Sequence, residues 1–333
     1  MIIYPLVLES RLEIVLVTPS APPIHRTVQV RQRDINAAVE KFRSNLIDSS
    51  NFDFKDSSEQ FYKWLIAPIE AELQQANVQT IIYAPDSRLR YIPIATLYDG
   101  KQFLVEKYNI NNITASSLTN FNRRGVNQPK VLAGASTIAH SVTVLGKPIS
   151  FGAIPATKQE VKNIAKIFPS VTELVDSSFT KPTTKTGTDS HTIIHLATHG
   201  SFNTGTPDES FLIFGDSDRL TLKEIETWVL KGVDLVVLSA CETGIGGKYG
   251  DGTEVLGLGY QFQHVGARAV IASLWTVSDG GTQKLMDAFY ASLKKGVSPT
   301  ESLRLAQISL IRGGEPFDHP YFWSAFFLIG NGL

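Results

Sequence analysis

Thr192-Ile193-Ile194-His195-Leu196-Ala197-Thr198-His199-Gly200 and Asp234-Leu235-Val236-Val237-Leu238-Ser239-Ala240-Cys241-Glu242-Thr243-Gly244 decide how this chain is read. Each is an apolar run rich in β-branched residues that stops at a reactive side chain and runs into glycine-containing loop sequence. Runs of this length and composition read as buried strands of a parallel sheet. In open parallel sheets, chemistry gathers in the crevice at the carboxyl ends of the strands, where both His199 and Cys241 would sit. Cys241 is the only cysteine in the chain, so a Cys-His nucleophilic pair has no competitor. An ordinary thiol is only a few per cent thiolate at neutral pH, and a neighbouring imidazole is what its activation requires. Gly200, directly after His199, leaves the backbone unobstructed for a substrate carbonyl.

Composition narrows the setting. A chain of 333 residues that is 43% hydrophobic can bury a large core and is read as two domains. Its formal net charge is -1 and it contains no run of lysines and arginines, so no nucleic-acid contact is expected. A single cysteine excludes an intrachain disulfide and suits a reducing compartment. The apolar stretches are strand-length, short of the roughly 20 residues that span a bilayer, and the amino terminus lacks signal-peptide features. The expected location is cytoplasmic, without membrane contact.

Outward from the two strands, residues 1–121 read as a smaller α/β unit. It has strands over 12–18 and 28–30, a helix capped by Asp34, a helix from Ser57 kinked at Pro68, and a strand over 80–84. Its one histidine, His25, lies in a proline-rich turn. Residues 122–129 belong to a polar, turn-forming linker, and 130–333 form the second unit. There a strand over 130–135 precedes a helix capped by Thr157 and closed by Pro169. A Ser/Thr/Lys-rich loop over 176–190 leads into the His199 strand. Thr221 caps a helix carrying Leu222, Ile225 and Val229, with Glu224 placed for a capping box. After the Cys241 strand come a helix over 253–265, a strand over 269–275, helices near 280–294 and 299–312, and a strand over 323–329 that closes the sheet. Alternating strands and helices signal a three-layer αβα sandwich with a mostly parallel central sheet.

Two motif readings fail. His195 and His199 have the spacing of two metal ligands on a helix, but on a strand rising about 3.3 Å per residue they attach about 13 Å apart. The glutamate of a zinc-protease motif is also missing, so His195 reads as a packed core residue. Gly247-Lys248 has Glu242 where a phosphate loop needs glycine and Tyr249 where it needs Ser or Thr. No metal and no cofactor are expected.

His-Leu-Ala-Thr-His-Gly (195–200), Leu-Ser-Ala-Cys-Glu-Thr-Gly (238–244) and Ala-Ser-Leu-Trp-Thr-Val-Ser-Asp (272–279) resemble the CHAT domain, a caspase-like module found with TPR repeats. So do Tyr-Ala-Pro-Asp-Ser-Arg-Leu-Arg-Tyr-Ile-Pro (83–93) and His-Pro-Tyr-Phe-Trp-Ser-Ala-Phe (319–326), and the resemblance extends over essentially the whole chain. It implies an inactive caspase-like half over 1–121 and a caspase-like cysteine protease over 130–333. Cys241 would be the nucleophile and His199 the acid/base, with an oxyanion hole from the N–H groups of Gly200 and Cys241. The substrate would be a protein, under control of a TPR or other sensor domain, attached or separate. The caspase signature Gln-Ala-Cys-x-Gly is only partly met, since Ser239 replaces the glutamine and glycine comes one position late. That departure argues against aspartate specificity. Residues 274–279 are similar instead to the Leu-Trp-Asp-Val-Thr-Asp stretch of separases, which cut after arginine. The similarity makes Asp279 a substrate-binding carboxylate for Arg or Lys, against the alternative that it caps the following helix. The short segment from Glu242 to Asp251 implies activation by ordering of loops, with Arg123-Arg124 as the place to look for an internal cut. A cysteine-dependent acyl-transfer enzyme such as a thioesterase, and a catalytically silent interaction module, remain the alternatives.

Overall fold

One eleven-stranded sheet runs through the computed structural model, which describes residues 1–19, 21–122, 125, 128–144, 146–201, 210–239, 250 and 252–333. The amino-terminal part supplies β1 (Ile2–Val7), β2 (Leu12–Val17), β3 (Ile24–Val28), β4 (Thr80–Tyr83) and β5 (Asn109–Asn112). Then follow β6 (Val131–Ala135), the hairpin β7 (His140–Val144) and β8 (Lys147–Phe151), β9 (Val171–Val175) and β10 (Ile193–Ala197). A separate ribbon holds β11 (Gly200–Ser201), β12 (Phe211–Ile213) and β13 (Arg219–Thr221), before β14 (Leu235–Ser239), β15 (Ala269–Ser273) and β16 (Phe326–Gly330). The long helices are α1 (Gln32–Ile47), α2 (Phe54–Leu65), α3 (Ala156–Ile167), α4 (Thr253–His264), α5 (Asp279–Leu293) and α6 (Pro299–Ile311).

The strand order is β3-β2-β1-β4-β5-β16-β15-β14-β10-β6-β9, and seven of its ten neighbour pairs are parallel. Successive side chains of a strand point to opposite faces, and here both faces are covered. Leu132, Ile194, Leu196, Val236, Leu238 and Val270 pack on one side with Phe262 of α4. Val131, Ala133, Ala197, Leu235, Val237 and Ile271 pack on the other with Val161, Leu285 and Leu303 of α3, α5 and α6. Burial on both faces is why these strands read as unbroken apolar runs and not as alternating ones.

Several sequence expectations change. The strand expected to close the sheet, β16, lies in its middle, antiparallel to β15 and parallel to β5. An apolar run reports burial, not position in the order. β5 went unread because its sequence is Asn-Ile-Asn-Asn; the amides of Asn111 and Asn112 donate to the carbonyls of Gly330 and Leu328. The expected loop over 176–190 contains a helix, Lys181–Gly187, with Thr180 as N-cap and Pro182 in its first turn. Thr157 does not cap α3: it is buried one residue inside and its hydroxyl hydrogen-bonds the carbonyls of Ser136 and Ile154. α1 starts at Gln32, with Asp34 in its first turn, and α2 starts at Phe54. Pro68 sits in a 3-10 turn, Ala67–Ile69, between two helices. The capping box of Thr221 and Glu224 forms, but its helix ends at Ile225 and Val229 is exposed. His25 is a strand residue whose imidazole lies 2.6 Å from Glu13.

Candidate active site

β10 is flanked by β14 and β6, with all five residues buried. The chain leaves the main sheet at Thr198, whose hydroxyl donates to the Ile213 carbonyl. The Ile213 N–H in turn donates to the His199 carbonyl at 2.9 Å. This transfers the backbone into the β11–β12 ribbon and turns His199 out of the sheet core. Gly200 then stands opposite Leu212. Hydrogen-bonded and non-bonded pairs alternate along an antiparallel ladder, so the Gly200 N–H points away from β12.

His199 is 8% exposed. Its Nε2 lies 2.7 Å from the Gly152 carbonyl, and Phe151 packs on its ring at 5.1 Å. A carbonyl can only accept, so Nε2 carries the proton and Nδ1 is left as the basic atom. The next imidazole, His140, meets His199 edge-on at 6.3 Å. Both its nitrogens are engaged, with Ser136 Oγ at 2.6 Å and Ser217 Oγ at 2.9 Å. Burial first, and the charge of His199 second, hold His140 below the usual histidine value. A neutral His140 does not oppose a proton on His199.

A cleft of about 250 Å³ opens beside His199 and is lined by Gly152, Glu160, Ser239, Ser273, Thr276, Asp279 and their neighbours. Cys241 lies outside the described residues, as do the rest of 240–249 and Arg123-Arg124. The strand that leads to it is described: Ser239 is the register partner of Ala197 in parallel β14 and β10. Asp279 lines the same cleft as His199 but is exposed at its rim. It is not the cap of α5. That role falls to Ser278, whose hydroxyl accepts from the Gly281 N–H.

Sequence reasoning missed Gly152 and Glu160. Glu160 is 3% exposed, 3.1 Å from His195 Nε2, and accepts a hydrogen bond from Ser239 Oγ at 3.2 Å. His195 is fully buried, and its Nδ1 lies 2.9 Å from Tyr290 Oη. Burial pushes the Tyr290 hydroxyl up, with Glu160 adding in the same direction. This network joins α3, β10, β14 and α5 beneath the cleft. A signal was available: Glu160 lies on the buried stripe of α3 with Thr157, Val161 and Ile164, and a carboxylate there needs a partner. Among the described residues no three acidic, histidine or cysteine side chains cluster as a metal site would require. Among the described residues no helix is long and apolar enough to cross a membrane.

The family model of the CHAT domain matches residues 55–331. Mouse tetratricopeptide repeat protein 28 is 24% identical over an alignment covering 93% of this chain and 15% of that protein. The chain thus spans about 15% of that curated relative. The Arg-specific cysteine proteinase gingipain R superposes with a TM-score of 0.53 at 12% identity, over 90% of this chain and 74% of its own. Saccharomyces cerevisiae separase in its complex with securin gives 0.51 at 13% identity, over 95% of this chain and 21% of its own. At these identities the shared property is the fold, which is caspase-like.

Proposed function

The chain belongs to the CHAT domain family, and from that premise we propose that it is a cysteine endopeptidase cleaving a protein partner. Cys241 is the nucleophile and His199 the general acid/base. Nδ1 of His199 takes the thiol proton, Sγ attacks the scissile carbonyl carbon, and the N–H groups of Gly200 and Cys241 hold the oxyanion. The proton then passes to the leaving amine, and water, deprotonated by the same nitrogen, hydrolyses the thioester.

Fold alone does not carry function. The observation that carries this reading is the placement of His199: at a cleft, its Nε2 spent on Gly152, and its strand in register with the one that leads to Cys241. Ala197 and Ser239 are partners, neighbouring strands lie about 4.8 Å apart, and His199 and Cys241 each follow their partner by two residues. Cleavage after Arg, with Lys poorer, is the specificity we assign. It is supported by Asp279 at the rim and Glu160 deeper in the cleft, with no lysine or arginine among the described lining residues.

Residues 1–121 serve as the non-catalytic half and 122–129 as the linker. A TPR or other sensor domain, attached or separate, controls activity by ordering the site's loops, in keeping with the repeats named in the relative. The setting is cytoplasmic. The decisive experiment incubates proteome-derived proteins with the wild-type chain and with Cys241→Ala, and maps new amino termini. New termini after Arg and Lys with the wild type alone are expected. The same termini with Cys241→Ala would overturn the assignment, and hydrolysis of acyl thioesters without peptide cleavage would redirect it to acyl transfer.

A further inference from the structure

We propose that Arg43, Arg88 and Tyr91, all from the amino-terminal half, are positioning residues that fix two segments, the one that follows Cys241 in the sequence and the one that leads to Asp279, to one helix, α1. The inference rests on the peptidase reading above and assigns that half a part in it. The first segment is the one that returns from Cys241. Gly250 stands nine residues after it in the sequence, and both backbone groups of Gly250 are taken by the turn Ser87–Tyr91. The Gly250 N–H donates to Tyr91 Oη at 3.0 Å, and Arg88 Nε donates to the Gly250 carbonyl at 3.2 Å. Two residues on, Gly252 adopts φ +78° and N-caps α4. A Cβ at Gly252 would lie 2.7 Å from Arg90 Cβ and 3.0 Å from the Ser87 carbonyl. Only glycine fits so close an approach in that conformation.

The second segment leads to Asp279. The Arg43 guanidinium, in a residue only 4% exposed, donates to the Leu274 carbonyl. It also lies 5.6 Å from the Tyr91 ring and 5.7 Å from the Trp275 ring. Arg88 is in turn bound by Glu40, one turn before Arg43 on α1. Burying a guanidinium is unfavourable unless its hydrogen bonds are fixed. Arg43 therefore holds Tyr91 and Trp275 in one arrangement. α1 thus reaches Gly250 through Arg88 and Tyr91, and the segment that leads to Asp279 through Arg43. None of the three is among the described residues that line the cleft.

Tyr91→Phe removes only the oxygen that accepts from Gly250 and keeps the ring beneath Arg43. Because Cys241 is the single thiol, its alkylation by iodoacetamide reports on that residue alone. In the full chain, Tyr91→Phe is expected to shift the pH–rate profile of alkylation. It should also lower kcat roughly ten- to hundredfold for a peptide the wild type cleaves, the size of effect that displacement of a reacting group brings, with KM little changed. Arg88→Gln, on a partly exposed side chain, should act in the same direction and carries the test if Tyr91→Phe fails to fold. Wild-type alkylation profiles and wild-type kcat in the folded variants would overturn the proposal. A wild-type chain that cleaves no peptide would sink the peptidase reading, while the alkylation profiles would still decide the anchoring.

Discussion

β10 and β4 are both short, buried and paired in parallel within one sheet, yet the sequences after them end in opposite ways. After β10 the backbone steps out of the sheet and presents an imidazole to a cleft. After β4 the side chains are spent on the protein itself. The Asp86 carboxylate accepts the Val7 N–H at 3.0 Å, Tyr83 is buried, and Arg88 and Tyr91 hold Gly250. A strand end becomes reactive when the residue after it keeps a polar atom for something other than its neighbours. The groups that follow β4 are instead turned to backbone partners, Asp86 to Val7 and Arg88 and Tyr91 to Gly250, and support the opposite half of the molecule.

The sharpest way to break this comparison is to alter each end in turn. His199→Ala or Cys241→Ala should lower turnover by roughly 10⁴-fold or more, and the double change should cost little beyond either, because such a pair acts as a unit. Tyr83→Phe, at the β4 end, removes a hydroxyl that makes no hydrogen bond among the described residues and should leave turnover within about twofold, as a site away from the chemistry would. Single-turnover assays on one peptide compare all four. Comparable losses at both ends would dissolve the distinction.

Beneath the two ends the polar cores also differ. The amino-terminal half buries Arg43 against rings and a carbonyl, whereas the carboxyl-terminal half buries a carboxylate–imidazole pair, Glu160 and His195. Removing one partner of a buried polar pair leaves the other unsatisfied, which costs about 1–3 kcal/mol. His195→Ala should therefore lower the unfolding free energy by about that amount in urea titrations. Tyr290→Phe should lower it by about 1 kcal/mol, the worth of one hydrogen bond. A loss below about 1 kcal/mol for His195→Ala would mean that the pair is solvated from the cleft.

What was legible in the sequence follows the same division. The β10 and β14 runs and the mostly parallel sheet could be read because burial on both faces leaves an unbroken apolar signal. β5 could not, since its Asn-Ile-Asn-Asn sequence meets its neighbours through amides. The Gly152 carbonyl that fixes the His199 tautomer was invisible because a backbone group has no letter of its own. Glu160 and His195 were each visible as an anomaly, a charge on an apolar stripe and a histidine in an apolar strand. Only the packing of α3 on β10 makes them one feature. The hairpin of β7 and β8, which brings Phe151 and His140 to His199, went unread although β7 alternates buried and exposed residues, because each strand has only five residues and β8 carries Pro148.

Asp279 sharpens the comparison at its rim. An exposed carboxylate steers a basic substrate more than it anchors it: mutating a rim charge changes association rate and salt dependence. Asp279→Asn should lower kcat/KM for Arg peptides by less than about tenfold, an energy within the range of exposed ion pairs. The loss should shrink as salt rises, with little change for apolar peptides. A larger, salt-independent loss confined to Arg and Lys peptides would show that substrate buries Asp279 on binding. Equal losses for all peptides would reduce it to part of the α5 terminus.

The smallest expected effect separates the two halves by pH. His140, beside His199, and His319, whose ring packs on Phe52 and Phe54 of the amino-terminal half, are both held below the ordinary histidine value, chiefly by burial. For each, the unfolded chain takes up its proton at about pH 6.5 while the folded protein resists. Their contribution to stability is therefore complete above that pH. It is lost as pH falls from about 6.5 through the lower folded value. The groups facing His140 are Ser136, Ser217, His199, Asp176 and Asp216. The two aspartates oppose the shift, so burial and the His199 charge must outweigh them for the slope to appear. His140→Gln should flatten the decline of Tm between about pH 7 and 5, and His319→Gln should flatten it independently, since the two lie in separate surroundings. If His140→Gln leaves the decline parallel to that of the wild type, the imidazole beside His199 takes its proton at the ordinary pH. It would then repel the charge that the proposed acid/base role requires of His199.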